Sequence, residues 1–183
     1  MRTLIYSINL TLDGCCEHTK VTGHEEILEF YTHLLQGADL LIYGRKTYQL
    51  MVPHWPDVAK AGAESKATLD FAKTFDAIDK VVFSKTLDSA PGNTRIVRTD
   101  PRDEILKLKQ APGRNMLLGG VEFPTHLVEL GLVDEYHFVI HPTVAGEGRR
   151  LLEGISLQQQ LKLKLVESKN LKSGCVALRY LKE

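Results

Sequence analysis

Three short stretches put glycine, hydroxyl and cationic residues directly after apolar runs. In Leu118-Gly119-Gly120-Val121, two residues without side chains separate the run Met116-Leu117-Leu118 from a helical pattern. Glycine lets a backbone approach a diphosphate, and a following helix offers free N–H groups and a positive dipole end. The same pair also suits a tight strand-to-helix turn with no ligand. Tyr43-Gly44-Arg45-Lys46-Thr47-Tyr48 puts two cations at a helix start, where each is disfavoured by about 0.3–1 kcal/mol against the dipole. Either an anion sits nearby or both side chains point to solvent. Phe83-Ser84-Lys85-Thr86 offers hydroxyl, cation and hydroxyl. That set suits a phosphate monoester, such as the 2′-phosphate that separates NADP from NAD, or else an ordinary polar turn.

Other residues carry chemistry one at a time. Asp13, before Gly14, reads as a proton donor or a hold on a substrate amine, or as a plain turn aspartate. Trp55 is the only tryptophan; it reads as a wall for a flat aromatic substrate or as a plug for its loop. Phe30 and Tyr31 read as core, with room for one to line a pocket as well. Cys15, Cys16 and His18 resemble metal ligands only loosely, because zinc sites space their cysteines by about two to four residues; no metal is expected. His137 and His141 share a strand face and read as structural or interfacial. Arg149 and Arg150 read as part of a turn, with a partner chain as a second reading.

Elements must bring the three strand-end motifs together. Strands are predicted over 2–10, 39–43, 81–83, 94–98, 115–118 and 134–142, from short runs of branched and aromatic residues. Helices are predicted over 24–36, 45–51, 67–76, 101–110 and 121–131 from apolar spacing, with Gly37 as a stop and Pro101 in a first turn. Residues 11–23 read as a polar loop and 52–66 as a surface excursion, given Pro53, Pro56 and Gly62. Residues 161–169 and 174–182 alternate around Ser173-Gly174, a hairpin signature. Strands alternating with helices imply a mostly parallel sheet covered on both faces, with the hairpin adding antiparallel strands at one edge. In such sheets ligands sit outside the carboxyl ends of the strands.

Composition narrows the class. The 183 residues suit a single α/β domain over 1–183. Lysine plus arginine and aspartate plus glutamate each number 23, which argues against a general nucleic-acid or membrane-surface binder. The start, MRTLIYSINLTLDG, lacks the continuous apolar core of a secretory signal. Three cysteines, two of them adjacent, form no disulfide framework. A cytoplasmic protein is expected.

The ordered set SINLTLDG, GADLLIYGRKTY, KVVFSKTL and MLLGGVEFPTHLVELGLVDEYHFVIHPTVAGEGRRLL resembles the dihydrofolate-reductase-like superfamily. The branch it resembles is the C-terminal reductase domain of the bifunctional riboflavin-biosynthesis deaminase-reductase. The resemblance implies a three-layer fold and NADPH as hydride donor. It implies that Gly44, Arg45, Lys46 and Thr47 meet the cofactor phosphates and that Ser84, Lys85 and Thr86 lie by the 2′-phosphate. Leu118, Gly119, Gly120, Val121 and Glu122 would cradle the pyrophosphate, with Asp13 near the nicotinamide. Dihydrofolate reductases hold the pterin with a first-helix carboxylate, so among Glu25, Glu26 and Glu29 the candidate substrate contact is Glu26, alongside Phe30, Tyr48 and Trp55. The implied activity is hydride transfer to a C=N or C=C bond of a small pterin- or pyrimidine-like substrate. A homodimer is expected from the resemblance and from the apolar strand YHFVI, which reads as lying near a sheet edge. The alternative is an NADP(H)-binding, weakly catalytic or non-catalytic dimeric sensor. The deaminase signature, H-x-E with P-C-x-x-C, does not occur.

Overall fold

The computed structural model describes residues 1–21, 23–62 and 65–183. The predicted loop at Thr22 and the predicted excursion at Ala63 and Glu64 lie outside the described residues. The strands are β1 (Leu4–Thr11), β2 (Ala38–Gly44), β3 (Asp79–Phe83), β4 (Thr94–Val97), β5 (Asn115–Leu118), β6 (Glu135–His141), β7 (Leu163–Asn170) and β8 (Val176–Lys182). The helices are α1 (Glu25–Gln36), α2 (Arg45–Met51), α3 (His54–Ala61), α4 (Lys66–Ala77), α5 (Pro101–Gln110) and α6 (Glu122–Glu129).

One eight-stranded sheet runs in the order β4-β3-β2-β5-β1-β6-β8-β7. The pairs from β4 to β6 are parallel, and β6 with β8 and β8 with β7 are antiparallel. Its central strands are apolar on both faces because both faces are covered. Leu4, Tyr6, Leu40, Ile42, Met116 and Leu118 pack with Ile105 of α5 and Leu127 of α6. The alternate residues Ile5, Leu41, Tyr43 and Leu117 pack with Leu35 of α1 and with Phe71 and Phe75 of α4. This is the predicted three-layer arrangement, with period-2 alternation deciding which helix each side chain meets.

Two expectations are corrected. The surface excursion holds a helix that the sequence reading does not predict: residues 54–61 form α3, with no buried residue. Pro53 caps this helix and Pro56 lies in its first turn, where a missing N–H costs nothing. The strand containing YHFVI is not near an edge: β6 lies between β1 and β8, and the edges are β4 and β7. Elsewhere the predicted boundaries hold to a few residues. Helix α5 starts at Pro101 as predicted, and the Asp100 side chain accepts a hydrogen bond from the Arg102 N–H at 2.8 Å.

Candidate cofactor and substrate cleft

β2, β5 and β1 are neighbours and parallel, so their carboxyl ends open onto one place. The glycines there are required by packing. A Cβ on Gly44 would meet Phe123 Cβ at 2.9 Å, and one on Gly119 would meet Tyr43 Cε1 at 2.8 Å. Gly120 has φ +101° and faces Thr47, whose Cβ would lie 3.2 Å from an added Cβ. The Tyr6 hydroxyl donates to the Gly120 carbonyl at 2.9 Å. Two side-chain-free residues therefore bring the starts of α2 and α6 together and fix the peptide between them.

The charges converge at the same point. Lys46 Nζ donates to both Glu122 oxygens, at 2.7 and 3.0 Å. Arg149 Nη1 reaches Glu122 Oε1 at 3.1 Å. The Lys46 hydrogen bond, helped by both cationic charges, holds the Glu122 carboxyl below its usual range. Arg45 is exposed and has no ion-pair partner among the described residues. These groups line one end of a cavity of about 1310 Å³, together with Gly44, Thr47, Leu118 and the Gly119–Val121 segment. Single small-molecule sites occupy roughly 300–1,000 Å³, so this cavity has room for more than one molecule.

The predicted site residues divide. Trp55 lines the cavity and meets Phe71 edge-on, with centroids 4.5 Å apart. Ser84, Lys85 and Thr86 follow β3 but do not line the cavity. Ser84 Oγ accepts from the Thr86 and Leu87 N–H groups at 3.2 and 3.0 Å, which caps its own turn. Arg98, not singled out from sequence, donates to the Leu87 carbonyl at 2.6 Å and brings a second cation to that turn.

Four predicted contacts lie elsewhere. The Asp13 carboxylate accepts from Thr11 Oγ1 at 2.5 Å and from the Ala145 and Gly146 N–H groups at 3.0 and 2.9 Å. It also pairs with Arg150 at 3.1 Å. It is not among the cavity-lining residues. The Thr11 hydroxyl first, then the backbone donors, hold its pKa far below the aspartate range, so it offers no proton at neutral pH. Asp13 is a clasp between the loops after β1 and β6. The clasp is complete above the unfolded-state value of about 3.9 and is lost only as pH falls through the depressed folded value. Asp13→Asn is expected to speed hydrogen exchange at the Ala145 and Gly146 amides; unchanged exchange would refute the clasp.

Glu26 accepts from the Lys172 and Ser173 N–H groups at 2.8 and 2.5 Å, so it holds the β7–β8 turn and not a ring in the cleft. Phe30 packs with Tyr31 and His137, against the cluster that contains Val139 and Ala177. Tyr48 is buried in the α4-side core. Neither Phe30 nor Tyr48 lines the cavity.

The model of the RibD C-terminal domain matches residues 2–177. The chain belongs to the RibD C-terminal domain family. An uncharacterised Bacillus subtilis protein, YyaP, is 31% identical over 183 residues, covering 98% of this chain and 94% of that one. A putative riboflavin biosynthesis protein from Shewanella sp. PV-4 has the same fold, with a TM-score of 0.74, 18% identity and 99% of both chains covered. The dihydrofolate reductase of Enterococcus faecalis, solved with NADP(H), superposes with a TM-score of 0.66 at 12% identity, covering 99% of this chain and 96% of that one. The fold is thus dihydrofolate-reductase-like.

Within this RibD-type frame, sequence reasoning missed Asn9 and His141 as cleft residues and left open which of Phe30 and Tyr31 lines a pocket. Tyr31, not Phe30, lines the cavity and donates to Asn9 Oδ1 at 3.2 Å. His141 lines it too, with Nε2 3.3 Å from Asn9 Oδ1; burial first, then the nearby His24 charge, lowers its pKa. The His137 and His141 pair does share a face, but only His141 reaches the cleft. His137 instead contacts Glu135 at 2.5 Å, and Arg179 donates to the same carboxylate at 2.7 Å.

Proposed function

We propose that this chain is an NADPH-dependent reductase acting on a C=N or C=C bond of a small pterin- or pyrimidine-like heteroaromatic. The observation that carries this reading is one cavity lined by three cations, the Gly119–Gly120 segment and Trp55. The donor set fits a dinucleotide. Arg45, Lys46 and Arg149 suit a diphosphate, and Lys85 and Thr86 after β3, with Arg98 after β4, suit a 2′-phosphate. NADP(H) in the E. faecalis relative supports the same reading.

The bound cofactor would supply the hydride. The chain's part is to hold phosphates at the strand ends, keep the Gly119–Gly120 peptide fixed through Tyr6, and exclude water from the apolar lobe. With Asp13 engaged in its clasp, Asn9, Tyr31 and His141 remain to orient the acceptor or a proton-donating water.

Thermal unfolding with NADPH, NADP, NADH and no ligand tests the proposal. At 100 times its dissociation constant a ligand adds about 2.7 kcal/mol, which for this chain length raises Tm by about 5–10 °C. A rise with NADPH and little with NADH supports it. No rise with any nucleotide refutes it.

A second reading, an NADP(H)-binding module with little turnover, is favoured by the engagement of Asp13 and Glu26 away from the cleft. Stabilisation by NADPH without oxidation in the presence of dihydropterins would select it. We also propose a cytoplasmic homodimer, the edge strand β7 exposing Leu165 and Val166. Light scattering that returns the mass of one chain would remove the dimer. No described helix is long and apolar enough to cross a membrane.

A further inference from the structure

Two parts of the cavity lining differ in charge. Its lysines and arginines, among the described residues, are Arg45, Lys46 and Arg149. Lys46 and Arg149 stand on Glu122, and Arg45 adjoins Lys46. Its carboxylates, among the described residues, are Glu122 and Glu17, and Glu17 accepts from the Arg149 N–H at 3.1 Å. The lysine, arginine and carboxylate charges of the described lining therefore gather around Glu122 and Arg149. A second part of the lining, the apolar lobe, is walled by Leu28, Leu34, Met51, Trp55 and Phe71, which pack on one core cluster and come from α1, α2, α3 and α4; beside them His54 lines the cavity and meets Trp55 edge-on, with centroids 4.8 Å apart. The carboxylates of α1 do not reach it: Glu25 and Glu29 are exposed, and Glu26 is held on the hairpin turn.

We propose that this lobe takes an uncharged, planar, largely apolar ring compound and discriminates against one bearing a carboxylate or phosphate tail. Among the described residues a cationic ring would find no carboxylate there, and an anionic tail would lose hydration without meeting a lysine or arginine. Apolar and aromatic walls favour a flat ring by contact area and edge-on packing. Calling this ring the hydride acceptor rests on the reductase reading; the binding preference does not.

Trp55 is the only tryptophan and lines the lobe, so its fluorescence reports occupancy without nucleotide. The nucleotide-free protein is titrated with quinoxaline and with quinoxaline-2-carboxylate, the same ring with and without a charge. Quinoxaline is expected to change Trp55 emission saturably. The carboxylate is expected to bind about tenfold more weakly. Leu50→Lys adds a cation at a cavity-lining position that is 49% exposed, so the fold tolerates it. That variant is expected to narrow the difference between the two probes. Equal or tighter binding of the carboxylate to the wild type, no Trp55 response to quinoxaline, or an unchanged preference in Leu50→Lys overturns the proposal. Stabilisation by NADPH with no quinoxaline binding removes this proposal alone. Quinoxaline binding with no NADPH effect removes the reductase reading and leaves the lobe.

Discussion

Gly120→Ala is expected to lower stability by about 2–5 kcal/mol, the sum of a left-handed backbone cost near 1–2 and an overpacking cost near 1–3. Both terms come from one position. The residue has φ +101°, where a Cβ is strained, and that Cβ would strike the Thr47 side chain. For a chain of this length Tm should fall by about 5–15 °C. Adding Thr47→Ala separates the terms: it removes the Oγ1 and Cγ2 that the new Cβ meets, keeps Cβ at 3.2 Å and leaves the backbone strain, so the double variant should recover only part of the loss. An unchanged Tm in the single variant would refute the geometry. The functional consequence is separate. Tyr6 holds the Gly120 carbonyl, so a shifted peptide moves the proposed phosphate cradle, and NADPH should then stabilise the variant less than the wild type. If stability falls but the nucleotide effect stays whole, Gly119–Gly120 is a packing turn and the phosphates sit elsewhere.

The sheet was legible because its signals are local. Leu40, Leu41, Ile42 and Tyr43 form a run whose alternate members face opposite cores, and such runs announce strands whatever surrounds them. α3 was not legible, since Pro53 and Pro56 read as breakers until a helix is known to start there. The place of β6 was also hidden. Strand order is set by which faces and edges remain to be covered, and nothing in YHFVI says that β7 and β8 lie outside it.

The site divides along the same line. Gly44, Gly119 and Gly120 were legible because only glycine tolerates such close approach, so residue type alone carries the message. Asp13 and Glu26 were not, because a carboxylate's role depends on which donors it meets. Their partners Ala145 and Ser173 lie 132 and 147 residues away in sequence. Tyr31 and Phe30 differ by one position on α1, and only the helix's rotation against the sheet decides which of them faces the cleft.

Glu122→Gln is expected to tighten NADP(H) binding by about five- to tenfold, close to 1–1.4 kcal/mol. The motif reading put Glu122 in the pyrophosphate cradle as a ligand. Its carboxylate instead stands where an anion would, engaging Lys46 and Arg149. A diphosphate arriving there must share or displace those cations while meeting a like charge. The lowered pKa keeps Glu122 ionised at neutral pH, so protonation gives no relief. Its side chain is 56% exposed, and screening limits what such pairs contribute to about 0–1 kcal/mol each. The variant should therefore cost little stability, and its advantage should shrink as ionic strength rises. Lys46→Gln and Arg149→Gln should act in the opposite direction and weaken binding. Calorimetric titration of NADPH into the three variants at low and high salt decides the matter. Weaker binding by Glu122→Gln would return Glu122 to the role of ligand, accepting hydrogen bonds from the nucleotide, and would remove the carboxylate-for-phosphate exchange.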